Sequence, residues 1–327
     1  MTQSPDVHGI GPIPPDSGMK LIPTGGDGLF RTGEAGVQAI CVTGDHKVEF
    51  IGYQDHTLAW VRSAMGHPAL YPLLPASVEP PVEAVLMDLD GTSVRSEPFW
   101  VWIIQSTIAE LIGDEAFELE DADEPHVSGH SVSEHLQYCI AKYCPDRSVE
   151  DARTIYFRIT AREMKAILEG GGRADAFVPA PGLKEFLLAL KRRGIRIALV
   201  TSGLHEKAWP EIVAAFRTMD LGDPLDFYDA IVTAGWAIRP GQAGTLGELQ
   251  AKPHPWLYAE AARVGLGIDP SRRSRCVGIE DSGAGVCAIR LAGFAAIGIE
   301  GGNIPRAGVS PLLHAMKPSL MDVLELL

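Results

Sequence analysis

"AVLMDLDGTS", residues 84–93, is an apolar run that ends in two carboxylates one residue apart, Asp88 and Asp90. The run "AVLM" has the character of a short buried strand. In an extended segment, residues two apart project to the same side. Asp88 and Asp90 are then close together, and neighbouring anions are costly unless a cation or a proton relieves them. A calcium loop of the EF-hand kind needs Gly at its sixth position and Glu at its twelfth. Counted from Asp88, those positions hold Ser93 and Phe99, and a strand rather than a helix precedes them. An Asp-containing loop and a strand-end carboxylate pair around Mg²⁺ both remain open.

Working outward, "IRIALVTSG", "AIVTAG", "RCVGIEDS" and "FAAIGIE" repeat the pattern of a short apolar run, most ending in small or acidic residues. Helical stretches such as "PGLKEFLLALKRRG" and "PWLYAEAARVGLG" lie between several of them. Continuous apolar strands alternating with helices predict an α/β fold, a doubly wound parallel sheet covered on both faces. Ligands of such sheets bind at the carboxyl ends of the strands. Asp88, Thr201 and Asp281 emerge there.

Residues 96–178 break the alternation. "FWVWIIQSTIAELIG", "SEHLQYCIAKYC" and "VEDARTIYFRITAREMKAILEGG" are helical in pattern, and a helical block inserted after the first strand predicts a cap over the sheet's carboxyl edge. The core is then 82–95 plus 179–327. Residues 1–80 form an N-terminal extension whose Pro- and Gly-rich start is expected to be poorly ordered. Within it, "GVQAICVTG" and "KVEFIGYQ" predict a small β element with a turn at Gly44 and Asp45. "PLLPASVEPPVE" reads as a linker, because its prolines oppose regular structure.

Composition bounds the function. The 327 residues are 46% hydrophobic and 7% aromatic, ample for a large core, and the formal charge is −14. That charge argues against general nucleic-acid or anionic-membrane binding, so an anionic ligand needs local positive charge in its site. Five cysteines give no disulfide framework, and reduced thiols in a cytoplasmic protein are expected. The first residues lack the basic and apolar regions of a secretory signal, and no apolar run reaches membrane-spanning length.

Several other residues bear on chemistry. In "LVTSG", Thr201 and Ser202 end a strand, where they suit a helix cap or, with the amides around Gly203, a grip on phosphate oxygens. In "AKPHPWLY", Pro253 restricts the backbone at Lys252 and Pro255 suits a first helical turn. An ammonium fixed there is what an acidic protein needs beside a phosphate. "CVGIEDSGAGVCAIRLAG" contains a G-x-G-x-x-A match at Gly283, Gly285 and Ala288, with Glu300 ending the next strand. Glu280 and Asp281 stand before those glycines and would repel a pyrophosphate, whereas they suit an oxygen-rich Mg²⁺ site with Asp88. His126, His130 and His135, with Cys139 and Cys144 nearby, match no zinc spacing and read as polar cap residues. The acidic run "EDADEP" reads as a solvated loop.

Taken in order, "DLDGT", "TSG", "KPHP" and "GIEDSGAG" resemble the four motifs of the haloacid dehalogenase superfamily, in its phosphatase and phosphomutase branch with a helical cap. "IEDSGAGVCAIRLAGFAAIGI" is the most specific stretch, and the resemblance spans about residues 82–305. It implies Asp88 as nucleophile through an aspartyl-phosphate, and Asp90 as general acid and then base. It implies Thr201, with Ser202 and Gly203, as phosphate-binding, and Lys252 as the balancing charge. It also implies Mg²⁺ held by Asp88, the Asp90 backbone carbonyl and Asp281, with Glu280 assisting. "SGHSVSEHL" resembles the substrate loop of β-phosphoglucomutase-like members, which puts Gly129, His130 and Ser131 at the substrate. Asp90 fits phosphate-ester chemistry better than dehalogenase or phosphonate chemistry. Ser93 and Arg95 depart from the family pattern, Arg95 being expected to face solvent, and "RPGQAGTLGELQ" looks like an insertion.

The implied function is Mg²⁺-dependent hydrolysis of a small phosphorylated metabolite. A sugar phosphomutase of the same architecture and a non-catalytic binding protein are the alternatives.

Overall fold

The computed structural model describes residues 6–62, 68–127, 132–173, 175–236 and 251–327. The insertion-like stretch 239–250 and the cap residues Gly129, His130 and Ser131 lie outside them, as do residues 1–5 at the start of the extension. The described chain divides into two compact units: residues 1–93, 180–208 and 221–327 in one, residues 94–179 and 209–220 in the other.

Among the described residues, the first unit contains two large sheets and a short antiparallel pair, Asp6–Val7 with Gly11–Pro12. Strands β1 (Lys20–Leu21), β2 (Ala39–Val42), β3 (Val48–Gly52), β4 (Thr57–Val61) and β5 (Ala69–Pro72) form an antiparallel meander in that spatial order. The two strands predicted around Gly44 and Asp45 are β2 and β3, registered Ala39 to Gly52 and Val42 to Glu49. Both are buried along their whole length. One side of this sheet joins a continuous apolar cluster with the rest of the unit: Phe50, Ala59 and Val61 pack in the same core as Leu257, Val286 and Ile304. The other side carries a smaller cluster of Val37, Ile40, Ile51 and Trp60.

The second sheet is parallel and six-stranded, with β6 (Ala84–Asp88), β7 (Arg196–Val200), β8 (Ala230–Val232), β9 (Cys276–Glu280), β10 (Ala295–Ile299) and β11 (Ala315–Lys317) in the order β8-β7-β6-β9-β10-β11. Five of the six are the predicted apolar runs. The edge strand β11 escapes sequence reading, since "AMK" is short and only half-buried. β6 is central: Val200 of β7 registers with Asp88, and Ile279 of β9 with Met87. Three neighbouring strands therefore end at one height.

The second unit is helical, as its sequence pattern predicts: α1 (Glu97–Ile112), α2 (Val132–Tyr143) and α3 (Val149–Leu168). The short antiparallel pair Val94–Arg95 with Val178–Pro179 closes its base. Asp123 corrects the reading of "EDADEP" as a solvated loop, because its side chain is fully buried. Its carboxylate accepts hydrogen bonds from Tyr138 Oη at 2.7 Å, Lys142 Nζ at 2.6 Å, the Glu120 amide at 2.9 Å and the Tyr143 hydroxyl. His126 stacks on Tyr138, and Cys139 and Cys144 are buried thiols. All five cysteines are free, and no described helix is long and apolar enough to cross a membrane.

Candidate active site

The parallel register brings Asp88, Thr201, Glu280 and Asp281 to one sheet edge, and the loop at Lys252 reaches the same place. Lys252 Nζ donates to Asp88 Oδ1, to Glu280 Oε1 at 2.6 Å and to the Val200 carbonyl at 3.4 Å. Its side chain is only 7% exposed. Burial alone would lower its pKa, but the carboxylates of Asp88 and Glu280 overcome that and hold it above the ordinary lysine range. The ammonium is therefore permanently charged. Its backbone amide donates to Ser202 Oγ at 3.0 Å, which ties the lysine loop to the "TSG" turn. The Lys252–Pro253 peptide is cis.

Thr201 is buried at the end of β7. Its Oγ1 accepts the Gly203 amide at 2.9 Å, a local turn contact, and donates to Asp90 Oδ2 at 3.2 Å. Asp90 also has Lys207 Nζ at 3.6 Å from Oδ1. Lys207 was not singled out by sequence reasoning. The available signal is its place in the first turn of the helix after "TSG", α4 (His205–Met219), where a side chain faces the same strand edge.

Glu280 is fully buried, and its two oxygens are saturated with donors. Oε1 accepts from Lys252 and from Tyr258 Oη at 3.0 Å, while Oε2 accepts the Asp281 and Ser282 amides at 3.1 and 3.0 Å and Ser282 Oγ at 2.9 Å. Gly285 makes room for this: a Cβ there would lie 1.7 Å from Glu280 Oε1. The space below the "SGAG" turn is thus filled by a carboxylate, not open to a pyrophosphate, which disposes of the dinucleotide reading. The helix beginning at Gly283 is capped by Ser282 itself, whose Oγ accepts the Gly285 amide at 3.1 Å.

Asp88 has one oxygen on Lys252 and the other, Oδ2, buried without a hydrogen-bond partner among the described residues. Burial, and then the Glu280 charge, push its pKa well above the ordinary carboxylate range despite Lys252. Asp281, raised for the same two reasons to about 7, is steadied by Thr92 Oγ1 at 3.3 Å. Gly91, at φ +87°, lets the chain pass Asp281: a Cβ there would sit 2.2 Å from Oδ2. Ser93, buried, donates to the Asp88 carbonyl at 2.5 Å, whereas Arg95 is exposed as expected.

Ligand atoms of Asp88, Glu280 and Asp281 all lie within 4.8 Å of one another. Oxygen donors alone, a buried orphan carboxylate oxygen and more carboxylate than ammonium charge are what a hard divalent cation requires. The residues fit Mg²⁺.

The family model for haloacid dehalogenase-like hydrolases matches residues 82–293. Among solved structures, a predicted phosphoglycolate phosphatase from Haemophilus somnus is similar at 19% identity, over 75% of this chain and 97% of that one, with a TM-score of 0.55. A HAD-superfamily hydrolase of subfamily IA from Geobacter sulfurreducens gives 17% identity, coverage of 77% and 99%, and a TM-score of 0.53. CbbY from Rhodobacter sphaeroides, solved in complex with phosphate, gives 22%, coverage of 74% and 96%, and 0.50. With the motif residues gathered at one strand edge and the family model covering well over half of its length, this chain belongs to the haloacid dehalogenase-like hydrolases.

Proposed function

We propose that the protein is a Mg²⁺-dependent phosphomonoester hydrolase acting on a small phosphorylated metabolite. The observation that carries this reading is Asp88: one oxygen is pinned by Lys252, and the other is buried and, among the described residues, without a donor. A carboxylate so held is aimed but not quenched.

Asp88 attacks the phosphorus, and the bond to the ester oxygen breaks. Asp90, partly exposed and hydrogen-bonded by Thr201, gives its proton to the departing alkoxide. In the second half-reaction Asp90 takes a proton from water as that water attacks the aspartyl-phosphate, which returns Asp88 and releases phosphate. Thr201, with Ser202 and Gly203, holds the phosphoryl oxygens, and Lys252 offsets their charge. Asp88, Asp281 and the Asp90 carbonyl would hold Mg²⁺, which when bound supplies charge stabilisation to the transferring group. Glu280, its lone pairs taken by five donors, orients Lys252 and the "EDS" turn. Gly129, His130 and Ser131 are assigned to the substrate by resemblance alone. CbbY, a protein of similar fold, was solved in complex with phosphate, which supports a phosphorylated ligand for this chain.

The test is a screen of phosphorylated metabolites with Mg²⁺, with EDTA and with Mg²⁺ restored. Phosphate release should need the ion, and Asp88→Asn should lower it by at least about a thousandfold. Full turnover by Asp88→Asn would refute the mechanism. Isomerisation of glucose phosphates without phosphate release would replace hydrolysis by the phosphomutase reading, in which a substrate hydroxyl takes the phosphoryl group.

A further inference from the structure

Tyr71 belongs to none of the four motifs, yet its phenol oxygen reaches the lysine loop from the antiparallel sheet. It lies 2.9 Å from His254 Nδ1 and accepts a hydrogen bond from Trp256 Nε1 at 3.1 Å. The two rings meet Tyr71 edge-on, with centroids 5.8 and 6.1 Å away. His254 is buried between two prolines, and burial lowers its pKa, so the neutral ring can accept from the Tyr71 hydroxyl while that oxygen accepts from Trp256.

The support behind Tyr71 is firm. It sits on β5 opposite Ala59 of β4, and Ala59 is fully buried in the core that also holds Leu257 and Tyr258. The lysine loop is thus gripped on one side by Ser202 and on the other by Tyr71. Between those grips Lys252 has to meet Asp88 and Glu280 together, a constraint that a shift of under an ångström would spoil.

We propose that Tyr71 is a positioning residue, whose hydroxyl bridges His254 and Trp256 and so aims Lys252 at Asp88. The N-terminal sheet then becomes a working part of a phosphoryl-transfer site, an inference that rests on the hydrolase reading for its activity readout.

The experiment compares the full-length chain with Tyr71→Phe, which keeps the ring and removes only the hydroxyl. Turnover of p-nitrophenyl phosphate is measured alongside acetylation of individual lysines by mass spectrometry. We expect kcat to fall by about threefold to thirtyfold with KM within about twofold. Lys252 should acetylate several-fold faster, Lys207 at an unchanged rate. Where Tyr71→Phe melts below the parent, the same readouts are taken on Trp256→Phe, which strips one arm of the bridge and should shift Lys252 in the same direction. Unchanged kcat and unchanged Lys252 labelling in a normally melting Tyr71→Phe overturn the proposal, and so does equal acceleration at Lys207, the mark of general loosening. Labelling decides the positioning role even if no phosphoester is turned over, an outcome that would sink the hydrolase reading instead.

Discussion

Lys252 carries the electrostatics of the site. Two carboxylates, Asp88 and Glu280, are almost fully buried, and among the described residues their shared cation is a single ammonium. Removing one partner of a buried ionic network leaves uncompensated charge and costs about 3–5 kcal/mol. Lys252→Met should therefore lose activity and also melt markedly lower, and added Mg²⁺ should recover part of that stability by binding the folded state. Thermal melts with and without Mg²⁺ check this; a Lys252→Met protein as stable as the parent in EDTA would mean that the carboxylates are neutral and the charge argument wrong. The lysine could be singled out from "AKPHP" because its prolines fix a backbone, but its contact with Glu280 could not. That contact depends on strand register, which places Ile279 beside Met87 and so Glu280 beside Asp88.

Among the elements, the short helical turn at Asp121–Asp123 shows how charge is spent away from the site. Burial alone would raise the Asp123 pKa, yet hydrogen bonds from Lys142, Tyr143, Tyr138 and the Glu120 amide hold it well below the usual carboxylate range. A folded-state pKa below the unfolded one means stability that is present above about pH 4 and lost as acid protonates the folded carboxylate. Asp123→Asn should cost about 1.5–3 kcal/mol at neutral pH, where charge-assisted hydrogen bonds count most. Urea unfolding of both proteins at pH 7 and again near pH 3 provides the check, and the gap between them should narrow in acid. A gap of the same size at both pH values would contradict the assignment. The sequence gives no hint of this burial, because "EDADEP" has the composition of a solvated loop and its partners, Tyr138, Lys142 and Tyr143, lie a helix away on α2. The three long helices α1, α2 and α3 were legible, since long stretches of helical pattern without interior Pro or Gly mark each of them.

Across the whole chain, the match to the family begins at residue 82, and residues 1–80 read in the sequence only as an extension without legible chemistry. The structure assigns them otherwise: ten buried residues from Val7 to Leu73 share one apolar cluster with residues of the parallel-sheet layer. The Gly44 amide donates to the Ala307 carbonyl at 2.7 Å, and a Cβ at Gly44 would lie 2.3 Å from the Arg306 carbonyl oxygen, so the meander is seated against the layer that carries "EDSGAG". Buried aliphatic side chains contribute about 1.5–3 kcal/mol each, against a net stability of about 5–15 kcal/mol for a domain. A chain starting at residue 78 should accordingly aggregate or bind a hydrophobic dye; recovery of a soluble, cooperatively melting, fully active truncation would show the sheet to be an accessory. The sequence by itself determined the alternating strands and helices, the four strand-end motifs and the residue types of the site, because periodicity and local spacing are properties of neighbours in the chain. Tertiary structure alone decided the saturation of Glu280, the donor-free oxygen of Asp88, the burial of Asp123 and the reach of Tyr71 to His254. Each of these joins segments that are distant in sequence or turns on which groups are withdrawn from water, and neither distance nor dehydration is written in local pattern.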